Sequence, residues 1–459
     1  MPWFVAKPYS GSWGWHWTMN HFNPEVINGN GQRQIASWYY PQIGPYDSAD
    51  PAVLEYHVLL MKLAGIDGVI VDWYGQDNYY DYGINNQRTL ALFNYTRKAQ
   101  LKFSLCYEDQ TIQAEIMGGT MNGITVTAAN AIAHAQQTML YAQSNFFTDS
   151  SFLRLSNAPV LLNFGPQYFQ NSSDWTSIFS VLNASNQPAF FTEDNRLSPA
   201  ASGAFDWPPM GLSGGGTNTL TPAALQGYLV NFDQKGAGWP AYVSSAFPRF
   251  HDIYYQAGVG PSYGYLDDAS GVTFSNTLSR AMTNKSAIVQ IVTWNDFGEG
   301  TIVEPTVAGS ETTTEYGYAD LGIVQNLRRQ FLDSGFPYHT NDLALANRFY
   351  NLRKQYGNNP AMSAELNRVF ANIVSGAVST ANLQLTGMES NRPVIYDLST
   401  DGVRVQFSIG GYVASTVQVN MSADLVNWQT VQTFPISTNL SVFTTNIVQD
   451  ASRFFRLQE

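Results

Sequence analysis

Ile288-Val-Gln-Ile-Val-Thr-Trp-Asn-Asp-Phe-Gly-Glu-Gly-Thr-Ile-Val-Glu-Pro305 is the stretch on which the reading of this chain turns. It opens as an apolar run rich in β-branched residues, the pattern of a strand buried on both faces. It then becomes polar at Trp294, Asn295, Asp296, Gly298, Glu299, Gly300, Thr301 and Glu304. A buried strand that delivers carboxylates and an indole into a glycine-containing loop is how an α/β barrel builds an active site. Along an extended strand, positions three apart point to opposite faces, so Asp296 and Glu299 share a pocket only if the chain curls between them. Gly298 makes that curl cheap. Paired carboxylates beside an indole suit glycoside hydrolysis, in which one protonates the leaving oxygen and the other activates a nucleophile or is one. The plain alternative is a strand followed by a solvated acidic loop.

Working outward, the same grammar recurs. Asp50-Pro51 reads as a helix start, Gly65 as its stop, and Leu54, Val58 and Met61 as its buried face. Ile66-Asp-Gly-Val-Ile-Val-Asp-Trp73 is then a strand ending in Asp72 and Trp73. Further strands are expected at 101–109, ending in Glu108 and Asp109, at 158–165 around Asn163, and at 187–194, ending in Glu193 and Asp194. Two more fall at 203–207, ending in Asp206 and Trp207, and at 241–252, ending in Arg249, His251 and Asp252. With the opening stretch and the 288–305 segment the tally is about eight, separated by helical candidates at 87–100, 128–143, 175–182, 222–235 and 275–284. The fold class is therefore α/β: a (β/α)8 TIM barrel over residues 1–375. The segment 318–333 reads as its last helix, with 341–355 and 361–374 as flanking helices.

From about Gly376 the chain turns rich in Ser, Thr and Asn, with short alternating runs at 403–409, 415–421, 428–433 and 453–457. That spacing predicts a small C-terminal β-sandwich over 385–459. Ser422-Ala-Asp-Leu-Val-Asn-Trp428 with Phe454-Phe-Arg456 is similar to a C-terminal module of secreted bacterial proteins. Carbohydrate binding, anchoring and a spacer role all stay open for it.

Trp294–Pro305 resembles the catalytic segment of glycoside hydrolase families 71 and 99. Its first half is like the Trp-Asn-Asp-x-Gly-Glu-Ser of family 71 endo-α-1,3-glucanases. Its second half is like the Glu-Gly-Thr-x-Ile-Glu-Pro of family 99 endo-α-mannosidases and endo-α-mannanases. Ala36-Ser-Trp-Tyr-Tyr-Pro41 resembles a segment near the start of family 99 domains, and the helix, Ala-Gly-Ile-Asp-Gly and strand ending in Asp72 resemble both families. The resemblance implies a glycosidase, with Asp296 on the first catalytic acid and Glu299 on the second. Family 99 implies a base acting on the sugar's own 2-hydroxyl and retention through an epoxide-type intermediate. That family has Glu where this chain has Asp296, one methylene shorter; the shorter acid leans toward the family 71 pattern and toward inversion with room for a water. Stereochemistry stays open.

The bulk properties exclude other classes. A net charge of −12 argues against nucleic acid and anionic membranes as partners. With 13% charged and 14% aromatic residues, the chain is stocked with groups that stack on and hydrogen-bond sugars, although aromatics equally fill cores. The single cysteine, Cys106, allows no internal disulfide. No apolar run is long enough to span a membrane. The first residues carry no basic flank and apolar signal core, so any export signal has been trimmed or never existed; the expected location is secreted or periplasmic. His16, His21 and His251 lack metal-ligand spacing, and no nucleotide loop or nucleophile elbow occurs, so no metal and no cofactor is expected. The expected partner is a polysaccharide or oligosaccharide substrate.

The candidate general acid/base is Glu299 and its partner is Asp296. Trp294, Asn295, Glu304, Asp72, Glu108, Asp109, Asn163, Glu193, Asp194, Asp206, Arg249, His251 and His16 are candidates for binding sugar hydroxyls, against helix capping and other structural roles. Trp15, Tyr39, Tyr40, Trp73 and Trp207 are candidates for stacking on sugar faces, against core packing. A non-hydrolytic glycan-binding protein on the same barrel is the second reading; the intact Asp296 and Glu299 favour turnover.

Overall fold

The computed structural model describes residues 1–309, 315–390, 392–410, 416–435, 441–446 and 452–458. Its contacts form two compact units, one of residues 1–54 with 64–336 and the other of 55–63 with 337–459.

The first unit is built on a curled parallel sheet, the arc of a (β/α)8-type barrel. Its strands are β1 (Gly68–Trp73), β2 (Lys102–Tyr107), β3 (Ala158–Asn163), β4 (Ala189–Glu193), β5 (Gly203–Phe205), β6 (Val243–Ala246) and β7 (Ile288–Ile291). They lie side by side in chain order, β1 through β7. Helix α1 (Pro51–Ala64) precedes β1 and contributes its residues 55–63 to the second unit, while α2 (Tyr82–Lys98), α3 (Gln110–Gly118), α4 (Ala131–Ala142), α5 (Ser172–Phe179), α6 (Pro222–Gly236), α7 (Val272–Thr283) and α8 (Ala319–Phe331) alternate with these strands or follow them.

The strands are near-continuous apolar runs because each feeds two cores. Phe103, Leu105, Tyr107 and Leu161 join Trp73, Phe146, Trp175 and Phe190 in one cluster. Their neighbours Cys106, Val160 and Leu162 join Phe191, Phe205 and Val243 in another. Successive side chains leave a strand on opposite sides, so both faces must be apolar when both are covered. Trp73, Tyr107, Asn163 and Thr192 are successive partners across the sheet, so the carboxyl ends of β1 to β4 come out level.

The opening stretch, expected to add a strand to this sheet, does not. Residues Lys7–Ser10 and Trp15–Thr18 form single helical turns, and Tyr40–Pro41 pairs antiparallel with Thr306–Val307. Trp17 and Phe4 stack 4.1 Å apart, so the aromatics there pack as a cluster rather than alternate along a strand.

The second unit contains α9 (Ala344–Tyr356), α10 (Pro360–Val374), α11 (Val378–Ser390) and two antiparallel sheets. One sheet orders β8 (Val394–Thr400), β9 (Arg404–Gly410) and β12 (Ser441–Asn446); the other orders β11 (Gln429–Pro435), β10 (Thr416–Ser422) and β13 (Phe454–Gln458). Phe407, Ile409, Phe443, Val417 and Val419 form their shared core, which makes a β-sandwich. Ser415, at the start of one expected strand, lies outside the described residues. The stretch after Gly376, whose composition suggested the onset of the β module, is instead helix α11. Ala381, Leu385 and Met388 bury one face of it at helical spacing among polar neighbours.

Candidate active site

Strand β7 ends at Ile291, before the acids, and the chain folds back on itself as a closed loop. The Thr293 N–H donates to the Thr301 carbonyl at 2.8 Å, and the two threonine hydroxyls meet at 2.9 Å. Val303 returns an N–H to the Thr293 carbonyl at 3.0 Å, and Glu304 one to the Trp294 carbonyl at 3.0 Å. Inside this loop the Asp296 carbonyl accepts the Gly300 N–H at 2.9 Å, and the Asp296 carboxylate accepts the Glu299 N–H at 2.9 Å. The left-handed residue of the curl is Gly300, at φ +68, rather than Gly298; a Cβ at 300 would come within 2.6 Å of the His251 carbonyl oxygen. The segment entering from β6 braces the loop, with the His251 N–H donating to the Glu299 carbonyl at 2.8 Å and the Ile253 N–H to the Gly298 carbonyl at 3.0 Å.

The two acids differ in their surroundings. Burial raises the Glu299 carboxyl well above the usual carboxylate range, and the negative charges of Asp296, Asp252 and Asp72 raise it further. Its Oε1 receives only a long bond, 3.5 Å, from the Tyr254 hydroxyl, and its Oε2 is enclosed with no hydrogen-bond partner among the described residues. Asp296 is also raised by burial, but backbone N–H groups of Glu299 and Gly298 pull against that. Donors aimed at a carboxylate favour its charged form. Asp296 is therefore the acid disposed to ionise, and Glu299 the one disposed to keep a proton.

A second carboxyl pair stands at the ends of β1 and β2. Burial raises Asp72 to about 7, and Glu108, which shares a hydrogen bond with it, goes well above its usual range for the same reason and through the Asp72 charge. The Tyr74 hydroxyl bonds Asp72, and Gln110 Nε2 donates to Glu108 at 2.5 Å. The fields of Asp72 and Asp296 act on each other and on Glu299, which gathers Asp72, Glu108, Asp252, Asp296 and Glu299 in one acidic neighbourhood. His16 joins it from the opening stretch: it stacks on Trp3 at 4.0 Å, its Nε2 lies 3.4 Å from Asp81, and burial lowers its pKa while Asp296 is among the charges opposing that. Glu193, at the end of β4, is raised to about 7 by burial and then by Asp194.

Most of the other candidates make contacts within the scaffold. Asp109 is fully enclosed; its carboxylate accepts the backbone N–H groups of Gln167, Tyr168 and Phe169, at 2.9, 2.8 and 2.9 Å, and the Asn163 amide at 3.2 Å. Asp206 accepts the Ser245 N–H at 2.6 Å and pairs with Arg280 at 3.1 Å, while burial lifts it to about 6. Arg249 pairs with buried Asp320 at 2.5 Å, donates to the Ile302 carbonyl at 2.6 Å and lies 3.5 Å over the Tyr316 ring. Trp73 is closed inside the helix-facing core with its Nε1 on Asn86 at 3.0 Å, so no face of it meets the cleft. Trp207 packs against Phe164 and Phe205, and Tyr39 is buried against Tyr316 and His251. The Tyr40 hydroxyl accepts the Arg33 N–H at 3.2 Å. His251 stacks on Trp38 at 4.6 Å, with burial lowering its pKa. Asn295 donates to the Tyr46 hydroxyl at 2.9 Å, and that hydroxyl donates to Glu304 at 2.7 Å; burial raises Glu304 to about 8. Trp294 is half-buried, and Trp15 presents an open ring at 40% exposure.

Tyr254, Tyr74 and Tyr46 are site residues that the sequence reading left out, and Asp252 entered it only as a polar strand end. Asp252 carried a signal as the polar end of the 241–252 strand, and Tyr254 lies two residues beyond it.

Residues 3–128 match a family model described as Glycosyl hydrolase family 99, a match that ends upstream of the Asp296–Glu299 loop. A glycoprotein endo-alpha-1,2-mannosidase-like protein of Danio rerio is 20% identical over 328 residues, 64% of this chain and 66% of that protein. A glycoprotein endo-alpha-1,2-mannosidase of Mus musculus is 22% identical over 346 residues, 68% of each chain. The chain thus spans about two thirds of the length of the curated relatives it matches. A solved GH99 endo-alpha-mannosidase from Bacteroides thetaiotaomicron shares the fold at a TM-score of 0.52 and 18% identity, over 72% of this chain and 94% of that one.

Proposed function

We propose that this chain, whose residues 3–128 match the family 99 model, hydrolyses, by endo attack, glycosidic bonds of an α-linked glycan or polysaccharide. The observation that carries this reading is the unequal carboxyl pair on one closed loop. Glu299, half-buried with its Oε2 enclosed and raised by burial and by Asp296, holds a proton with one weak bond to Tyr254. Asp296, held by backbone N–H groups, carries the charge. Glu299 donates its proton to the leaving glycosidic oxygen as the bond to the anomeric carbon breaks. Asp296 takes the proton of the incoming nucleophile, a water or the sugar's own hydroxyl. Asp72 and Glu108 offer hydrogen-bonding groups to sugar hydroxyls beside them.

The relatives named for α-1,2-mannosidic cleavage support α-mannan as the first substrate to try. Reducing-end release is measured on α-1,2-linked manno-oligosaccharides, α-mannan and α-1,3-glucan. We expect release from an α-linked mannan and a 10²–10⁴-fold lower kcat, at retained binding, for Glu299→Gln, on the order of a general acid's contribution. A Glu299→Gln protein with wild-type turnover overturns the assignment, and a folded protein inert on every α-linked glycan overturns the activity. The C-terminal module's likeness to secreted bacterial modules supports export, which is tested by finding the protein in the medium or periplasm of its host.

A further inference from the structure

Outside the acid pair, three side chains from three elements converge on one point. Asp77 lies in the loop between β1 and α2, Glu115 on α3 and His134 on α4. His134 Nε2 stands 2.6 Å from Asp77 Oδ2 and 3.2 Å from Glu115 Oε2, and one ligand atom from each residue lies within 4.8 Å of the others.

Hydrogen bonding alone leaves this cluster incomplete. An imidazole nitrogen carries at most one proton, so Nε2 serves one carboxylate well and not two. The nearer Asp77 takes that bond, and Glu115 Oε2 is left enclosed with no hydrogen-bond partner among the described residues. Glu115 is 2% exposed, and an enclosed carboxylate oxygen without a partner is costly. Two carboxylates against one imidazole also leave excess negative charge.

A cation removes both deficits. One nitrogen and two carboxylate oxygens are ligands suited to a first-row divalent ion. Zn2+ at about 2.0–2.2 Å from each ligand holds neighbouring ligand atoms roughly 3 to 3.6 Å apart. The 3.2 Å separation already matches, and the 2.6 Å one needs to open by only a few tenths of an ångström. Asp77 and His134 are half-buried, which leaves a path for an ion and for water to fill the remaining positions. We propose that Asp77, Glu115 and His134 form a divalent-cation site of the Zn2+ class. Its role is positional. The loop it pins to α3 and α4 also carries Tyr74, which bonds Asp72, and Asp81, which faces His16.

The test uses the full chain, stripped with a chelator and checked for folding by circular dichroism. Zn2+, Mn2+ and Ca2+ are each titrated by calorimetry and thermal melting. We expect about one equivalent of Zn2+ and an upward Tm shift of about 2 °C or more, both lost in Asp77→Asn and His134→Gln. A folded wild-type chain that takes up none of the ions overturns the site, as does equal uptake by the folded variants. Should the variants not fold, the wild-type chain decides. Bound Zn2+ must then protect His134 from diethyl pyrocarbonate, read by peptide mass spectrometry, and unprotected His134 in the loaded protein overturns the proposal.

Discussion

The Glu299 backbone N–H donates to the Asp296 carboxylate at 2.9 Å, so each acid of the pair is held by the other's backbone or field. The bond favours charge on Asp296, and that charge keeps the Glu299 proton in place. The two groups are tuned against each other by one turn of chain.

Removing the Asp296 charge should therefore be visible in the pH profile as well as in rate. A general acid works only while protonated, so activity falls as pH rises through the Glu299 pKa. Asp296→Asn takes away a charge that raises that pKa, and the alkaline limb of kcat should move to lower pH. We expect kcat to drop about 10²-fold or more as well. An unmoved alkaline limb in a variant with measurable turnover would uncouple the pair.

Tyr254→Phe should push the same limb the other way. The Tyr254 hydroxyl bond lowers the Glu299 pKa, and removing it strengthens the upward pull of burial and Asp296. The bond is long, at 3.5 Å, so the loss in kcat should be less than about tenfold. A shift toward acid would contradict the arrangement.

Glu304 supplies a pH dependence of stability. Burial raises its carboxyl to about 8, against 4.5 for an ordinary glutamate, so the folded chain holds this proton more tightly than the unfolded one. Its stabilising contribution is full below the unfolded pKa and is lost as pH rises through about 8. Glu304→Gln should leave the Tyr46 contact in place and flatten the fall in Tm between acid and mildly alkaline buffer. A variant that melts lower than the parent at alkaline pH would sink this reading.

How far the chain can be shortened follows from helix α11. We propose that the strands from Val394 onward are dispensable for catalysis. A chain ending at Ser390 keeps all of α11 and should turn over substrate near the parental rate, while one ending at Ser375 lacks a helix with five buried residues and should be less stable. Loss of turnover in a folded 1–390 chain would assign the strands a part in the reaction. Proteases should spare 378–390.

The sheet was legible because its strands are apolar on both faces and end in charged residues, as at Asp72 and Glu108. The closed acid loop was legible as a motif but not in its mechanics, since Gly300 rather than Gly298 takes the left-handed turn. Helix α11 was masked by Ser, Thr and Asn, with Ala381, Leu385 and Met388 too sparse to outweigh them. Trp73 and Asp109 sit at strand ends like true cleft residues, yet one fills a core and the other organises a loop. That distinction depends on which neighbours arrive from later strands. Tyr254 on Glu299, and Asp77 with Glu115 and His134, are meetings of residues far apart along the chain, and no local spacing encodes them.

The threonine-locked return from Thr293 to Thr301 carries an evolutionary consequence. The spacing of the two acids is set within a single dozen-residue segment. Loops after the other strands, apart from the bracing segment at His251–Ile253, can then differ in length and wording without moving Glu299 relative to Asp296. On the proposed reading, the acid pair and the surfaces that would meet the sugar then lie largely on separate pieces of chain.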